Sequence, residues 1–155
     1  MIKTLVPQPR YSKREIFKNH VTLTENSNSK VVLIGDSLIK NLSLFPEVWE
    51  KCFSNYRTLN LGISGDKIEN VLWRIQNIIL PQSTSQVYIL CGANNIDVDT
   101  SGEISQGVIL CAKLIKSRMK DIVVTVIALT PRDKINTQRQ RKTFINNDNI
   151  KGECL

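Results

Sequence analysis

The stretch "SKVVLIGDSLIKNL", residues 29–42, decides the fold of this chain. Its apolar run does not alternate with polar residues and stops at a glycine, a pattern typical of a strand buried on both faces of a parallel sheet. An aspartate and a serine follow at once, and then a segment with helical spacing. Ser37 is therefore either a nucleophile at the end of a strand or only the N-terminal cap of the next helix.

Three further apolar runs predict three further strands. With the first run they are KVVLIG (30–35), RTLNLG (57–62), QVYILCG (86–92) and IVVTVIAL (122–129). Two intervening segments, DKIENVLWRIQNII and SGEISQGVILCAKLIKSRMK, have apolar residues at helical spacing, and we expect Ser101 to cap the second of them. Strands that alternate with helices predict an α/β fold with a parallel sheet covered by helices on both faces.

Composition indicates one ordinary globular domain inside the cell. Of the 155 residues 41% are hydrophobic and 23% charged, and no apolar stretch approaches the roughly 20 residues of a membrane span. We find no signal peptide before Pro7 and Pro9, so we expect an intracellular, cytoplasmic protein. The net charge of +7 permits contact with nucleic acid, but the basic residues are scattered, which favours an ordinary solvated surface.

The cysteines and the histidine do not form a metal site by their spacing. Four cysteines lie far apart without a C-x-x-C pair, and the chain has a single histidine, His20. Cys91 ends an apolar run and Cys111 lies on an apolar helical stripe, so we expect both to be buried free thiols.

Three polar loops follow successive strands, and their strand ends share one edge of a parallel sheet. A nucleophilic serine in the loop GDSL needs hydrogen-bond donors for the oxyanion that forms during acyl transfer. The loop GISGD offers the backbone N–H of Gly65, and the loop GANN offers the side-chain amide of Asn94. Each also has a simpler interpretation, because Gly65 can serve only a turn and Asn94 can only brace its loop.

The blocks VVLIGDSL, LNLGISGDKIENVLWRI and VYILCGANN resemble the first three blocks of the SGNH (GDSL) hydrolase family. The resemblance covers about residues 30–143. It is strongest to the catalytic-subunit type of platelet-activating-factor acetylhydrolase and to the esterase domains of some LINE-type retrotransposons. It implies a three-layer α/β/α fold with a flavodoxin-like sheet.

The resemblance also implies roles for individual residues. Ser37 would be the nucleophile, and its own N–H would form the oxyanion hole with the N–H of Gly65 and the side chain of Asn94. Asp36 would support the loop around the serine. The implied reaction is hydrolysis of a small acyl ester, often an acetyl ester, without a metal or a cofactor.

One part of the family pattern is missing from the sequence. Family members complete the triad with an Asp-x-x-His block after a fifth strand, whereas Asp148 is followed by Asn-Ile-Lys and we predict no fifth strand. His20 could replace the missing base only by folding back from the amino-terminal arm, and we expect it instead on the surface. We therefore predict a truncated esterase domain that is weak or inactive.

The predicted organisation has three parts: a polar arm and linker (1–28), the incomplete SGNH-type domain (29–143) and an irregular tail (144–155). A second interpretation is a non-catalytic binding or assembly module. It would contact nucleic acid through its basic surface, form homo-oligomers, or associate with a complete homologue. A third is a gene fragment without a stable fold.

Overall fold

The computed structural model describes residues 2–131 and 137–152 and contains a four-stranded sheet. The strands are β1 (Val31–Gly35), β2 (Thr58–Gly62), β3 (Gln86–Leu90) and β4 (Val123–Val126). Their order in the sheet is β2-β1-β3-β4, and every neighbouring pair is parallel. The prediction of four parallel strands is thus confirmed, and each strand is slightly shorter than the apolar run that predicted it.

Helices cover both faces of the sheet and complete the predicted three-layer α/β/α architecture. The helices are α1 (Arg14–Glu25), α2 (Ser37–Asn41), α3 (Pro46–Cys52), α4 (Ile68–Asn77), α5 (Ser101–Arg118) and α6 (Gln138–Lys151).

Side chains alternate between the two faces along each strand. Val32 and Ile34 therefore belong to the large core beneath α4 and α5, while Val31 and Leu33 belong to a small core beneath α2 and α3.

The two faces are covered to different extents. The small core has only three fully buried apolar residues, supported by Trp49 and Phe53 of the α3 region. On the same face, Val123 and Ile127 of the β4 region are 57% and 37% exposed. A groove of about 540 Å³ runs over this face. The second helix layer therefore leaves the β4 side of the sheet open.

The cap of α5 differs from our expectation. Thr100, not Ser101, is the N-cap: its Oγ1 accepts a hydrogen bond from the Glu103 N–H, and Glu103 accepts one from the Thr100 N–H. The reason is the spacing of a capping box, which needs the acid three residues after the cap. Glu103 satisfies that spacing for Thr100.

Both ends are more ordered than the sequence predicts. The arm includes the 12-residue helix α1 and a buried Thr4, whose hydroxyl donates to the Glu103 carbonyl at 2.7 Å. The segment expected to be irregular is helical as far as Lys151 and packs against α5. Asn147 fixes it by donating to the Leu129 carbonyl and accepting from the Leu129 N–H, both at 2.9 Å. Residues 153–155 of the predicted tail, including Cys154, lie outside the described residues.

We predict that Gly35→Ala destabilises the fold. A Cβ at this position would lie 2.0 Å from the Leu90 carbonyl oxygen and 2.7 Å from Ile39 Cγ1, so backbone would have to move. The expected loss is about 3 kcal/mol of unfolding free energy, the upper end for overpacking, measured by urea unfolding.

Gly102→Ala is the matched control, because nothing lies within 4 Å of a Cβ there. It should be neutral or stabilise by up to about 1 kcal/mol, since alanine is the better helix former. Equal stabilities of the two variants would contradict the packing described at the end of β1.

Candidate active site

Ser37 is the first residue of α2, and one residue, Asp36, separates it from the end of β1. Asp36, which is fully buried, is the N-cap, and its Oδ1 accepts a hydrogen bond from the Leu38 N–H at 2.9 Å. The cap is therefore the aspartate and not the serine, which leaves the partly exposed Ser37 side chain out of the capping interaction. Gly62 allows the approach of α2, because a Cβ there would lie 2.2 Å from the Lys40 backbone nitrogen.

The second loop is a tight turn over residues 63–66. The Asp66 N–H donates to the Ile63 carbonyl at 3.2 Å, and Gly65 has a φ of +79° at the third position. A positive φ at this position is typical of a type II turn and favours glycine. Gly65 therefore allows the turn to form, and the geometry of the turn fixes the direction of the Gly65 backbone N–H.

The two asparagines of the third loop have different roles. The amide of the half-buried Asn94 donates to the Asp66 carbonyl at 2.8 Å, so it joins the third loop to the second and keeps one further N–H of the same nitrogen. Asn95 is fully buried: it accepts from the Ile68 N–H and donates to Glu69 and Asp99. Asn95 thus braces the loop and the start of α4.

A buried ion pair, which the sequence analysis did not single out, joins the first two loops. Arg74 Nε lies 2.8 Å from Asp66 Oδ2, and both side chains are almost fully buried. The same guanidinium donates to the Leu61 carbonyl at 2.7 Å and to the Gly35 carbonyl at 2.9 Å. Arg74 therefore binds the carboxyl ends of β1 and β2 together with the turn that carries Gly65.

Burial and charge act in opposite directions on this pair. Burial raises the pKa of the Asp66 carboxyl, and the Arg74 and Arg10 guanidiniums oppose that shift. Burial lowers the pKa of Arg74, and the Asp66 carboxylate opposes it. Arg10, from the amino-terminal arm, lies 3.3 Å from Asp66 and also donates to the Ser64 carbonyl at 2.8 Å. In the sequence, Asp66 and Arg74 both lie in the second block of the family resemblance, LNLGISGDKIENVLWRI. That shared block was the only sequence signal for the ion pair.

His20 is not on the surface, contrary to our expectation. It lies on α1 and is 7% exposed, because α1 packs against the large core through its neighbours Phe17 and Val21. Burial and then the charge of Arg74 lower its pKa to about 4. Among the described residues, no hydrogen bond joins His20 to Ser37. No side chain in that part of the chain accepts a hydrogen bond from the Ser37 hydroxyl.

The reactive side chains closest to the third loop in the sequence include Cys91, which comes directly before Gly92. Cys91 and Cys111 are buried free thiols, as predicted, and a hydrogen bond with Cys111 together with burial raises the pKa of the Cys91 thiol. Within residues 2–131 and 137–152 no cluster of three His, Cys, Asp or Glu residues could hold a metal ion. No helix in that part of the chain is long and apolar enough to cross a membrane.

Known proteins are similar to this chain in sequence and in fold. The chain is 32% identical over 117 residues to platelet-activating factor acetylhydrolase IB subunit alpha2 of Rattus norvegicus, covering 75% of the chain and 51% of that protein. It is 29% identical over 124 residues to subunit alpha1 of Bos taurus, covering 79% of the chain and 53% of that protein. The chain thus spans about half the length of these relatives. No protein-family model matches it.

Solved structures give the same result for the fold. A GDSL-like lipase from Bacteroides thetaiotaomicron aligns with a TM-score of 0.71 at 19% identity, over 92% of this chain and 72% of that one. An esterase of the SGNH-hydrolase family aligns with a TM-score of 0.60 at 21% identity, over 78% of this chain and 72% of that one. The resemblance to the SGNH (GDSL) hydrolases is confirmed. The roles of individual SGNH-type residues in this chain stay predictions.

We predict that breaking the buried ion pair destabilises this SGNH-type fold more than removing it. Arg74→Met leaves Asp66 with only the half-exposed Arg10, and Asp66→Asn leaves a buried guanidinium without its carboxylate. Each single variant should lose about 3–5 kcal/mol of unfolding free energy in urea.

The double variant is the control for this measurement. Because it removes both charges, it should lose clearly less than the sum of the single variants. Losses that simply add, or single losses below about 1 kcal/mol, would show that the pair does not stabilise the loops.

We predict that His20 makes stability depend on pH. Its pKa is about 4 in the folded chain against an ordinary 6.5, so the unfolded chain binds more protons between these values. Stability should therefore rise as the pH increases through this window and fall by about 2 kcal/mol when the pH decreases through it.

His20→Gln should remove that component, measured as the difference between the two proteins' unfolding free energies at several pH values. A difference that does not change with pH would mean that His20 titrates normally in the folded chain.

Proposed function

We propose that the chain carries an acyl-transfer site of the SGNH type, with Ser37 as the nucleophile and Asp36 as the support of its loop. The observation that carries this proposal is the connection of three loops at one edge of the sheet. Arg74 contacts the Gly35 carbonyl before Ser37 and the Asp66 carboxylate beside Gly65, and Asn94 contacts the Asp66 carbonyl. The sequence similarity to acetylhydrolase subunits supports the same assignment.

The proposed reaction is hydrolysis of a small acyl ester of the acetyl type. Hydroxide from the solvent takes the proton of the Ser37 hydroxyl as its Oγ attacks the carbonyl carbon, and the N–H groups of Ser37 and Gly65 with the Asn94 amide stabilise the oxyanion of the tetrahedral intermediate. The C–O bond to the alcohol then breaks and the alkoxide takes a proton from water. A further water attacks the acyl-serine, which releases the acid and restores the Ser37 hydroxyl.

We further propose that this chain hydrolyses esters slowly. A serine hydroxyl is a weak nucleophile until a base accepts its proton, and no described side chain is in position to do so for Ser37. His20 is buried on α1 and has a lowered pKa. The oxyanion donors alone supply only a residual acceleration of roughly 10³–10⁴ over water.

The test is hydrolysis of p-nitrophenyl acetate by the purified chain, Ser37→Ala and Ser43→Ala. We expect a turnover number near 10⁻³ per second or less, about 10⁴-fold below a typical enzyme. Ser37→Ala should change this residual rate by less than about threefold, because the acceleration comes from the oxyanion donors and not from the serine. Ser43→Ala is the control for a serine substitution as such, since Ser43 is exposed and its hydroxyl donates to the Lys40 carbonyl.

Two results would contradict the proposal in different ways. Serine-dependent turnover at typical enzyme rates would mean that another group acts as the base. A rate for the chain no higher than that of p-nitrophenyl acetate in buffer alone would mean that the three loops do not form an oxyanion site.

The open face of the sheet favours a second candidate function, as an assembly module that associates with a second copy or with a complete homologue. Exposed apolar residues on an edge strand, such as Val123, are typical of surfaces that pair with another chain. Its test is the molar mass in solution, alone and with a complete homologue. Nucleic-acid binding stays a prediction from the net charge alone.

A further inference from the structure

A cavity of about 540 Å³ lies between the amino-terminal arm, α1 and α4. Its volume is within the range of small-molecule sites, roughly 300–1,000 Å³. Neither Ser37, Gly65 nor Asn94 lines it, but Ile63, Asp66 and Arg74 do. It therefore adjoins the second loop without containing the nucleophile or the oxyanion donors of the proposed function. We call it the arm cavity.

The inner walls of the arm cavity are apolar and aromatic. The rings of Phe17 and Trp73 meet with centroids 4.9 Å apart at an angle of 60°, and Ile63 forms part of the same lining. Tyr11 stands at the mouth and is 80% exposed. An aliphatic chain or an aromatic ring therefore finds partners on several sides of the cavity.

The lining is strongly basic. Its single carboxylate belongs to Asp66, and its five cationic residues are Arg10, Lys13, Arg14, Lys18 and Arg74.

The partners of these cations differ. Asp66 is shared by Arg74 and Arg10, and Lys18 pairs with Glu15 at 2.9 Å. No carboxylate among the described residues pairs with Lys13 or Arg14. Two cations without a partner are therefore left at an apolar cavity.

The position of these two cations is unfavourable for α1 itself. Lys13 is the N-cap of α1 and Arg14 is its first residue. A helix N-terminus carries partial positive charge, so a cation there is unfavourable for the helix. The stability of α1 therefore does not explain them, whereas an anionic ligand would.

We infer that the arm cavity binds a phosphate monoester with an apolar or aromatic body. At neutral pH such a phosphate carries between one and two negative charges, and it suits a guanidinium fork beside an ammonium group. The body packs against the Phe17 and Trp73 pair while the phosphate contacts Lys13 and Arg14. A lipid-like alkyl phosphate and a nucleotide share this chemistry.

The test uses Trp73 as the reporter. The chain has two tryptophans, and Trp49→Phe keeps the aromatic contact with Phe53 while leaving Trp73 as the sole source of tryptophan emission. Decyl phosphate, below its micelle concentration, and adenosine monophosphate are titrated separately. 1-Decanol and inorganic phosphate are titrated as the apolar and the anionic half of the ligand.

We expect saturable binding of decyl phosphate or adenosine monophosphate. Each half alone should bind at least about tenfold more weakly than the whole. The tighter of the two whole ligands identifies the source, lipid-like or nucleotide. No saturable binding of either, or equal affinity for decyl phosphate and decanol, would overturn the inference.

Lys13→Glu/Arg14→Glu tests the cations without weakening α1, because acidic residues are favourable at a helix N-terminus. Its affinity should fall at least about tenfold. Lys51→Glu/Lys120→Glu, with the same charge change at exposed positions outside the cavity, should keep most of the affinity. Equal losses in the two double variants would reduce the effect to net charge and overturn the assignment to this cavity.

Discussion

The arrangement of the three loops depends on one buried ion pair, Asp66 with Arg74. Removing two charges from water is costly, and this pair offsets the cost through further hydrogen bonds to the carbonyls of Gly35 and Leu61. Those carbonyls are at the carboxyl ends of the two strands that carry the first two loops. The pair therefore converts a general property of parallel sheets, strand ends along one edge, into a fixed relation between specific backbone groups.

The pair also explains why the amino-terminal arm is part of the domain. Arg10 reaches Asp66 and the Ser64 carbonyl, and its Nη1 lies 2.8 Å from the position that a Cβ of residue 65 would take. His20, on the helix that follows, is buried near enough to Arg74 for that charge to lower its pKa. The arm thus stabilises the turn that directs the Gly65 N–H, although the family resemblance begins only after it.

The sequence predicts the sheet well because its strands are unbroken apolar runs, the pattern of strands that are buried on both faces of a parallel sheet. It also places Asp36, Ser37, Gly65 and Asn94 after successive strands, as the structure has them. It does not predict the full extent of α1 and α6, whose polar sequences become helical through specific contacts such as Asn147 with Leu129. Nor does it predict the burial of His20 or the contacts of Arg74, because these depend on which side chains meet in the folded chain. Arg74, for example, donates to the Gly35 carbonyl 39 residues away.

The central claim is that Ser37 stands among oxyanion donors without a general base. We would measure the rate at which diethyl p-nitrophenyl phosphate labels Ser37, by mass spectrometry, between about pH 6 and 9. The Ser37 Oγ bonds to phosphorus as p-nitrophenolate leaves, so the rate reports the reactivity of the serine alone. The account predicts a rate that rises about tenfold per pH unit without a plateau, because only hydroxide removes the proton. A plateau with a midpoint near neutrality would reveal a working base and contradict it.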